Sequence, residues 1–284
     1  MTAEDRFQPH QFDRVGDATA AQAAAYLDRA RSNPLFQRIK ERTLSHLDLK
    51  NGDHALDVGC GTGEEVVAMA KLVSPDGRAV GVDLSEAMIT EAEKRAADVD
   101  LPVEFRVAGN QELPFPDASF SACRTERVLV HTSDPARAVG EMIRILEPGG
   151  RIAIVEPDFE ALVYDSPQTE VGQRIKLHWL ATGRNSPMVG RTLYGLFVRA
   201  GLAGILVEGH VGVLNDYALA QNQFAFEERA ASAANDGAVS TEEAERWVDS
   251  LREAAAEDRF FASGVIFSAF ARKPELLADG GETI

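Results

Sequence analysis

Ala55-Leu56-Asp57-Val58-Gly59-Cys60-Gly61-Thr62-Gly63 decides how this chain folds, because a short apolar run opens there into a turn with glycine at every second position. His54–Val58 reads as a buried strand bounded by Gly52. The following Glu64–Val73 places Val66, Val67, Ala70 and Val73 on one helical face. The segment is therefore strand, glycine turn, helix. Glycines let a ligand lie against bare main chain, and the start of the next helix adds its positive pole. In open α/β sheets ligands bind at such a place, outside the carboxyl ends of the strands.

The spacing of the glycines narrows the ligand. The dinucleotide fingerprint is Gly-x-Gly-x-x-Gly, which delivers a pyrophosphate to the helix start. This chain has Gly-x-Gly-x-Gly, preceded by Asp57. A second apolar run, Ala79–Val82, ends at Asp83, twenty residues after Gly63. A carboxylate at a strand tip accepts the hydroxyls of a ribose. Together these point to a ligand that contains adenosine.

Over Gly52–Asp158 the chain resembles the class I S-adenosylmethionine-dependent methyltransferases, most closely the ubiquinone/menaquinone-biosynthesis type of small-molecule enzymes. Leu56 to Gly63 looks like the family's first motif. The resemblance puts the main chain of Gly59, Cys60, Gly61 and Gly63 beside the methionine part of S-adenosyl-L-methionine, with Asp57 near its ammonium group. Asp83 would hold the ribose, Leu84 and Met88 would sandwich the adenine, and Gly109-Asn110-Gln111 would touch its edge. The family has Asp where this chain has Asn110, whose amide oxygen still accepts from an adenine amino group. Leu113–Phe120 and Leu146–Arg151 match the family's entry to the fourth strand and its turn into the fifth. The fold implied is an α/β, Rossmann-like sheet of seven mostly parallel strands with helices on both faces. The cofactor implied is S-adenosyl-L-methionine, released as S-adenosyl-L-homocysteine.

Composition limits the partners. The chain has 284 residues, a net charge of −16 and a sequence pI near 4.8. A phosphate backbone would be repelled over most of such a surface, which argues against a nucleic-acid substrate. Arg124-Thr125-Glu126-Arg127 also lacks the Asn/Asp-Pro-Pro-aromatic signature of enzymes that methylate nucleic-acid amines. Cys60 and Cys123 are the chain's two cysteines, so no disulfide framework is expected and a reducing cytosol fits. Met1–His10 is polar and charged, and no apolar run approaches the roughly eighteen residues of a membrane span. The expectation is a soluble, cytoplasmic protein, monomeric or homodimeric, without nucleic-acid or membrane partners.

Four regions follow from the order of elements. Residues 1–50 form an N-terminal helical lid, with helices over Thr19–Arg31 and Pro34–Leu47 and with Phe12 and Tyr26 facing the acceptor. Residues 51–158 form the cofactor-binding core, with strands at Ala79–Val82, Val103–Val107, Phe120–Cys123 and Ile152–Val155, and helices at Glu86–Ala97, capped by Ser85, and Pro135–Leu146. Residues 159–274 complete the sheet and carry cap helices over about 160–200 and 216–258. Glu160–Ala181 reads as a loop and then a helix, Arg191–Ala200 as a helix, and Ile205–Val207, with Val211 and Val213, as the sixth strand. Asp216–Ala233 and Thr241–Asp258, the second opened by a Ser240…Glu243 capping box, form an insertion before the last strand at Gly264–Ala271. This aromatic-bearing pair suits either a substrate pocket or a dimer interface. Residues 275–284 are a polar tail.

A sulfonium methyl is already activated, so the protein's task is alignment and exclusion of water. No metal is required, and the histidines show no ligand spacing on a shared element. A phenol acceptor, with a pKa of about 10, would gain from an imidazole of pKa about 6.5 as general base. His131 follows the fourth strand in a region that, in the resembling family, faces the transferred methyl; the other reading is that it ends a turn before Asp134-Pro135. Glu126 is the second catalytic candidate, while Arg127, Trp179 and Phe224 join Phe12 and Tyr26 as acceptor contacts. Glu156 and Asp158 flank the same opening in a structural role. The expected activity is methyl transfer to O, C or N of a small, largely apolar aromatic, quinone or polyketide-like metabolite. The alternatives are a protein that binds the cofactor for cyclisation or regulation and, more remotely, a nicotinamide-dependent oxidoreductase.

Overall fold

In the computed structural model, which describes residues 15–182 and 185–275, β1 (His54–Val58) pairs in parallel with β2 (Arg78–Asp83) and with β4 (Phe120–Glu126). β2 continues to β3 (Val103–Val107), and β4 to β5 (Leu146–Tyr164). β7 (Ala262–Arg272) enters antiparallel between β5 and β6 (Ala203–Leu214), giving the order β3-β2-β1-β4-β5-β7-β6. This is the seven-stranded, mostly parallel Rossmann-like sheet expected. The order reverses between β1 and β4, so a crevice opens above their carboxyl ends.

Helices cover both faces. Alternation along the strands sends Leu56, Val58 and Val80 to the face covered by α5 (Pro135–Ile145) and α7 (Val189–Arg199), through Val139, Met142, Leu193 and Phe197. Ala55, Ala79, Ala122 and Ala153 point the other way, under α3 (Glu64–Val73) and α2 (Pro34–Leu47). On α3 the buried positions are Val66, Met69, Ala70 and Val73. Met69 takes the place expected of Val67, because i, i+3, i+4 and i+7 share a face. α4 (Glu86–Ala96) is capped as expected, Met88 N–H donating to Ser85 Oγ at 3.3 Å.

The N-terminal helices also form as read. α2 seats Phe36 and Ile39 against Val155 and Ile266. α1 (Asp17–Ser32) lies across α4 and the glycine turn, its Ala23 buried with Met88 and its Asp28 paired with Arg95 at 2.8 Å. Leu27 Cδ1 stands 2.9 Å from where a Cβ on Gly61 would be. The helix therefore roofs the turn.

Beyond Asp158 the chain departs from expectation. The fifth strand does not end at Val155 but runs to Tyr164, because β7 pairs with it up to Tyr164↔Ala262, past a register shift after Asp158. α6 (Thr169–Thr182) follows. The single helix expected over Asp216–Ala233 is two, α8 (Tyr217–Phe224) and α9 (Phe226–Asn235), broken at Ala225 with φ +50°. A continuous helix would turn Phe224 and Phe226 about 200° apart. The break buries both, their ring centroids 5.7 Å apart. With Trp247 and Leu251 of α10 (Thr241–Ala256), and with Phe260, they form a second core on the long strands. α10 opens with the expected capping box. Among the described residues no helix is long and apolar enough to cross a membrane.

Candidate active site

Gly59, Gly61 and Gly63 all sit at positive φ, at 75°, 52° and 82°. The turn they make is held from below, where the N–H groups of Gly59 and Cys60 donate to Val82 O, and from the side by Asp83. Asp83 Oδ2 accepts from Gly61 N–H at 3.0 Å, and Oδ1 from Ser85 N–H at 2.9 Å. Burial pushes the Asp83 carboxyl up, and these backbone bonds oppose it.

Above the turn lies a cavity of about 1150 Å³, larger than the ~300–1,000 Å³ that suits one drug-sized ligand. Gly59, Gly61, Asp83, Leu84 and Gly109-Asn110-Gln111 line one end. Asn110 Nδ2 donates to Thr132 Oγ1 at 2.6 Å, which leaves its amide oxygen available. Glu126, Arg127, Val128 and His131 stand midway; Leu162, Val213, Phe224 and Ile266 line the far end. Tyr26 joins the wall from α1.

Not every expected residue reaches this cavity. Met88 is 1 % exposed and packs under α1 with Val15 and Ala23, so it is core beneath the roof and does not face the cavity beside Leu84. Trp179 is buried between Phe159, 5.0 Å away edge to face, and the Arg229 guanidinium, 3.4 Å over its ring. It supports the cap and does not line the chamber. Gly63 is turned under Phe105. Phe12 lies outside the described residues. The insertion's aromatic side chains are consumed in the second core, with Phe224 also reaching the cavity.

Asp57 and Cys60 border a smaller polar pocket beneath the turn, of about 70 Å³, shared with Lys40, Arg124 and Glu126. Asp57 faces the α2–α3 side of the sheet and is 2 % exposed, its Oδ2 3.0 Å from Arg124 Nη1. Burial pushes its carboxyl up to about 6, and Arg124 opposes this. Arg124 also donates to Glu126 Oε2 at 2.8 Å, and Lys40 lies 2.8 Å from Glu65 and 3.4 Å from Glu126. Burial alone would raise Glu126, but Lys40, Arg127 and Arg124 outweigh it and bring its pKa to about 2. A carboxylate so firmly ionised is a poor proton acceptor. Glu126, the second catalytic candidate, therefore stands in the cavity wall as a negative charge held by three cations. Burial pushes the free thiols of Cys60 and Cys123 up, away from reactivity.

The turn after β4 is built by Glu156, which is fully buried. Its carboxylate accepts from the N–H groups of Val128, Leu129 and Val130 at 2.8, 2.7 and 3.2 Å. Burial pushes it up to about 7, against the pull of those three bonds and of Arg127. The short 3-10 turn Leu129–His131 that results is clamped from the other side, Asn185 Nδ2 donating to His131 O at 2.7 Å. The α5 cap is Asp134, which accepts from Arg137 N–H at 3.0 Å. Asp158, structural as read, is held by Arg191, with Nη2 2.8 Å from Oδ1. Sequence reasoning missed Lys40 and Arg124. For Arg124 a signal exists, a cation inside the buried run Phe120–Thr125; a lysine on a helix carries none.

A reversed-order sheet with a glycine turn and an acidic neighbouring strand tip defines an α/β protein that binds a nucleoside-type ligand at its switch point. Residues 56–154 match the family described as Methyltransferase domain. The chain is 32 % identical over 259 residues, 91 % of its length and 74 % of the other's, to an uncharacterized 37.1 kDa protein in transposon TN4556 of Streptomyces fradiae. It is 40 % identical over 119 residues to 27-O-demethylrifamycin SV methyltransferase of Amycolatopsis mediterranei, covering 41 % of this chain and 43 % of that one. It is 28 % identical over 156 residues to demethylmenaquinone methyltransferase of Symbiobacterium thermophilum, covering 54 % and 60 %. The chain thus spans about half the length of these two named relatives. Its residues 56–154 belong to the methyltransferase-domain family, of the class I, S-adenosylmethionine-dependent type.

Proposed function

We propose that the protein transfers the methyl group of S-adenosyl-L-methionine to O, C or N of a small, largely apolar acceptor, an aromatic, quinone or polyketide-like metabolite. One observation carries this: a single cavity joins the glycine turn and Asp83, through Glu126 and His131, to an apolar chamber, with volume for a cofactor and an acceptor together. The residues fit the cofactor. Asp83 keeps lone pairs for ribose hydroxyls, and Leu84 offers an exposed apolar face to an adenine. Glu126 Oε1 is buried, ion-paired with Arg127 Nε at 3.4 Å but with no hydrogen bond among the described residues, so it has a lone pair for an ammonium group beside Asp57.

The cofactor supplies a methyl group already activated on sulfur. The chain's own residues hold the acceptor in line and keep water out, α1 and α2 from above and α8 from the far side. His131, on the turn held by Glu156, takes a proton from an acceptor hydroxyl. The acidic surface makes nucleic acid a poor partner, and the two unpaired thiols fit a reducing cytosol.

The test is calorimetry with S-adenosyl-L-homocysteine together with methyl transfer to a panel of phenols, amines and quinone precursors. Asp83→Ala should weaken binding at least tenfold, since hydrogen bonds to a charged group contribute about 1.5–3 kcal/mol. Unchanged affinity would remove the ribose assignment. Binding without transfer to any acceptor would favour a cyclisation or regulatory role.

A further inference from the structure

The acceptor chamber is deep, and its depth can be read from the strands. Glu126 is level with Val155 of β5, which pairs with Ser268 of β7. Phe224 closes the chamber four residues further along β7, its ring 3.5 Å from where a Cβ on Gly264 would be. Four strand residues span about 13 Å. At the far wall Gly212 pairs with Gly264, and the missing side chains leave room for Leu35 over the first and Phe224 over the second, with Leu162, Val213 and Val265 beside them.

Asp158, level with Val265 at this end, is already held by Arg191. Gln223 lines the cavity beside Phe224, half-buried, and its amide has no hydrogen-bond partner among the described residues. Its neighbour on the helix, Gln221, is fully engaged with Glu228 and with Glu227 N–H. An amide both donates and accepts, and in apolar surroundings it is favourable only when paired.

Building on the methyltransferase reading, we infer that the acceptor is an elongated, largely apolar molecule of roughly 13 Å whose end distant from the methylated atom carries a hydroxyl or carbonyl that hydrogen-bonds Gln223, its skeleton lying against Phe224. One-ring and two-ring acceptors leave that end empty. Phe224 and Gln223 then set which acceptors are held without touching the cofactor.

Calorimetry on protein saturated with S-adenosyl-L-homocysteine tests this with three probes: 17β-estradiol, its 17-deoxy analogue and 2-naphthol. Estradiol should bind at least tenfold tighter than 2-naphthol, and loss of the far hydroxyl should weaken binding about tenfold. Gln223→Leu should make estradiol and its deoxy analogue equivalent. Phe224→Ala should weaken both long probes and leave 2-naphthol unchanged. If that variant fails to fold, Gln223→Leu carries the test alone. Estradiol binding no tighter than 2-naphthol, a hydroxyl effect that survives Gln223→Leu, or no binding by any probe would overturn the inference. Failure of S-adenosyl-L-homocysteine itself to bind would instead overturn the methyltransferase reading.

Discussion

Replacing Glu156 with glutamine keeps the shape of the side chain that holds the turn after β4 and removes its proton. The wild-type carboxyl is fully buried and moves from 4.5 to about 7 on folding, chiefly through burial. At 1.36 kcal/mol per pKa step this is about 3 kcal/mol. The folded pKa is the higher one, so the stabilisation is fully present below about pH 4.5, where both states are protonated. Between about 4.5 and 7 the folded protein keeps the proton while the unfolded chain has lost it, and stability falls as pH rises. Glutamine has no such dependence. Its amide nitrogen meets Val130 N–H, so one of the three backbone bonds is lost, at about 1 kcal/mol. Urea unfolding at pH 4.5 to 8, followed by the buried Trp179 and Trp247, should therefore show Glu156→Gln about 1 kcal/mol less stable at the acid end and about 2 kcal/mol more stable at pH 8. Asp57, raised to about 6, titrates in the same window but is common to both proteins and drops out of the difference. A difference that stays flat across this range would refute the buried-carboxyl reasoning.

Gly59→Ala places a residue at φ +75° with its Cβ 2.2 Å from Val128 Cγ2. The backbone costs about 1–2 kcal/mol and the overlap about 1–3 kcal/mol. Denaturant titration should show Val128→Ala in the same chain relieving the second part and not the first. Arg124→Met leaves the buried Asp57 without its ion-pair partner, while Glu126 keeps Lys40 and Arg127, and should cost about 3–5 kcal/mol in the same assay; a loss under 1 kcal/mol would mean that the pair contributes nothing. His131→Ala should lower kcat about 10²–10⁴-fold on a phenolic acceptor while the affinity for S-adenosyl-L-homocysteine holds; equal losses in both would make His131 a structural residue.

The glycine turn, the parallel order of the core and the place of Asp83 could be read from the chain because each is a local demand. Glycines at positive φ, a capping serine before α4 and an apolar stripe at i, i+3, i+4 and i+7 are decided by neighbours within a few residues. The cavity's near end followed for the same reason, since Asp83, Leu84 and Gly109-Asn110-Gln111 all sit at strand tips.

The tertiary structure decided what depends on partners far along the chain. Asp57 meets Arg124 and Glu126 meets Lys40 only after β1, β4 and α2 assemble, so neither carboxylate's charge state could be read from its own segment. β5 runs on to Tyr164 because β7, some hundred residues later, pairs with it. Met88, placed beside the adenine by the resemblance, and Trp179, expected at the acceptor, are buried instead by packing against α1 and Arg229. Main-chain conformation is set by steric rules that act over one turn of chain, whereas burial, charge pairing and the walls of a cavity are set by which distant surfaces come to exclude water from each other.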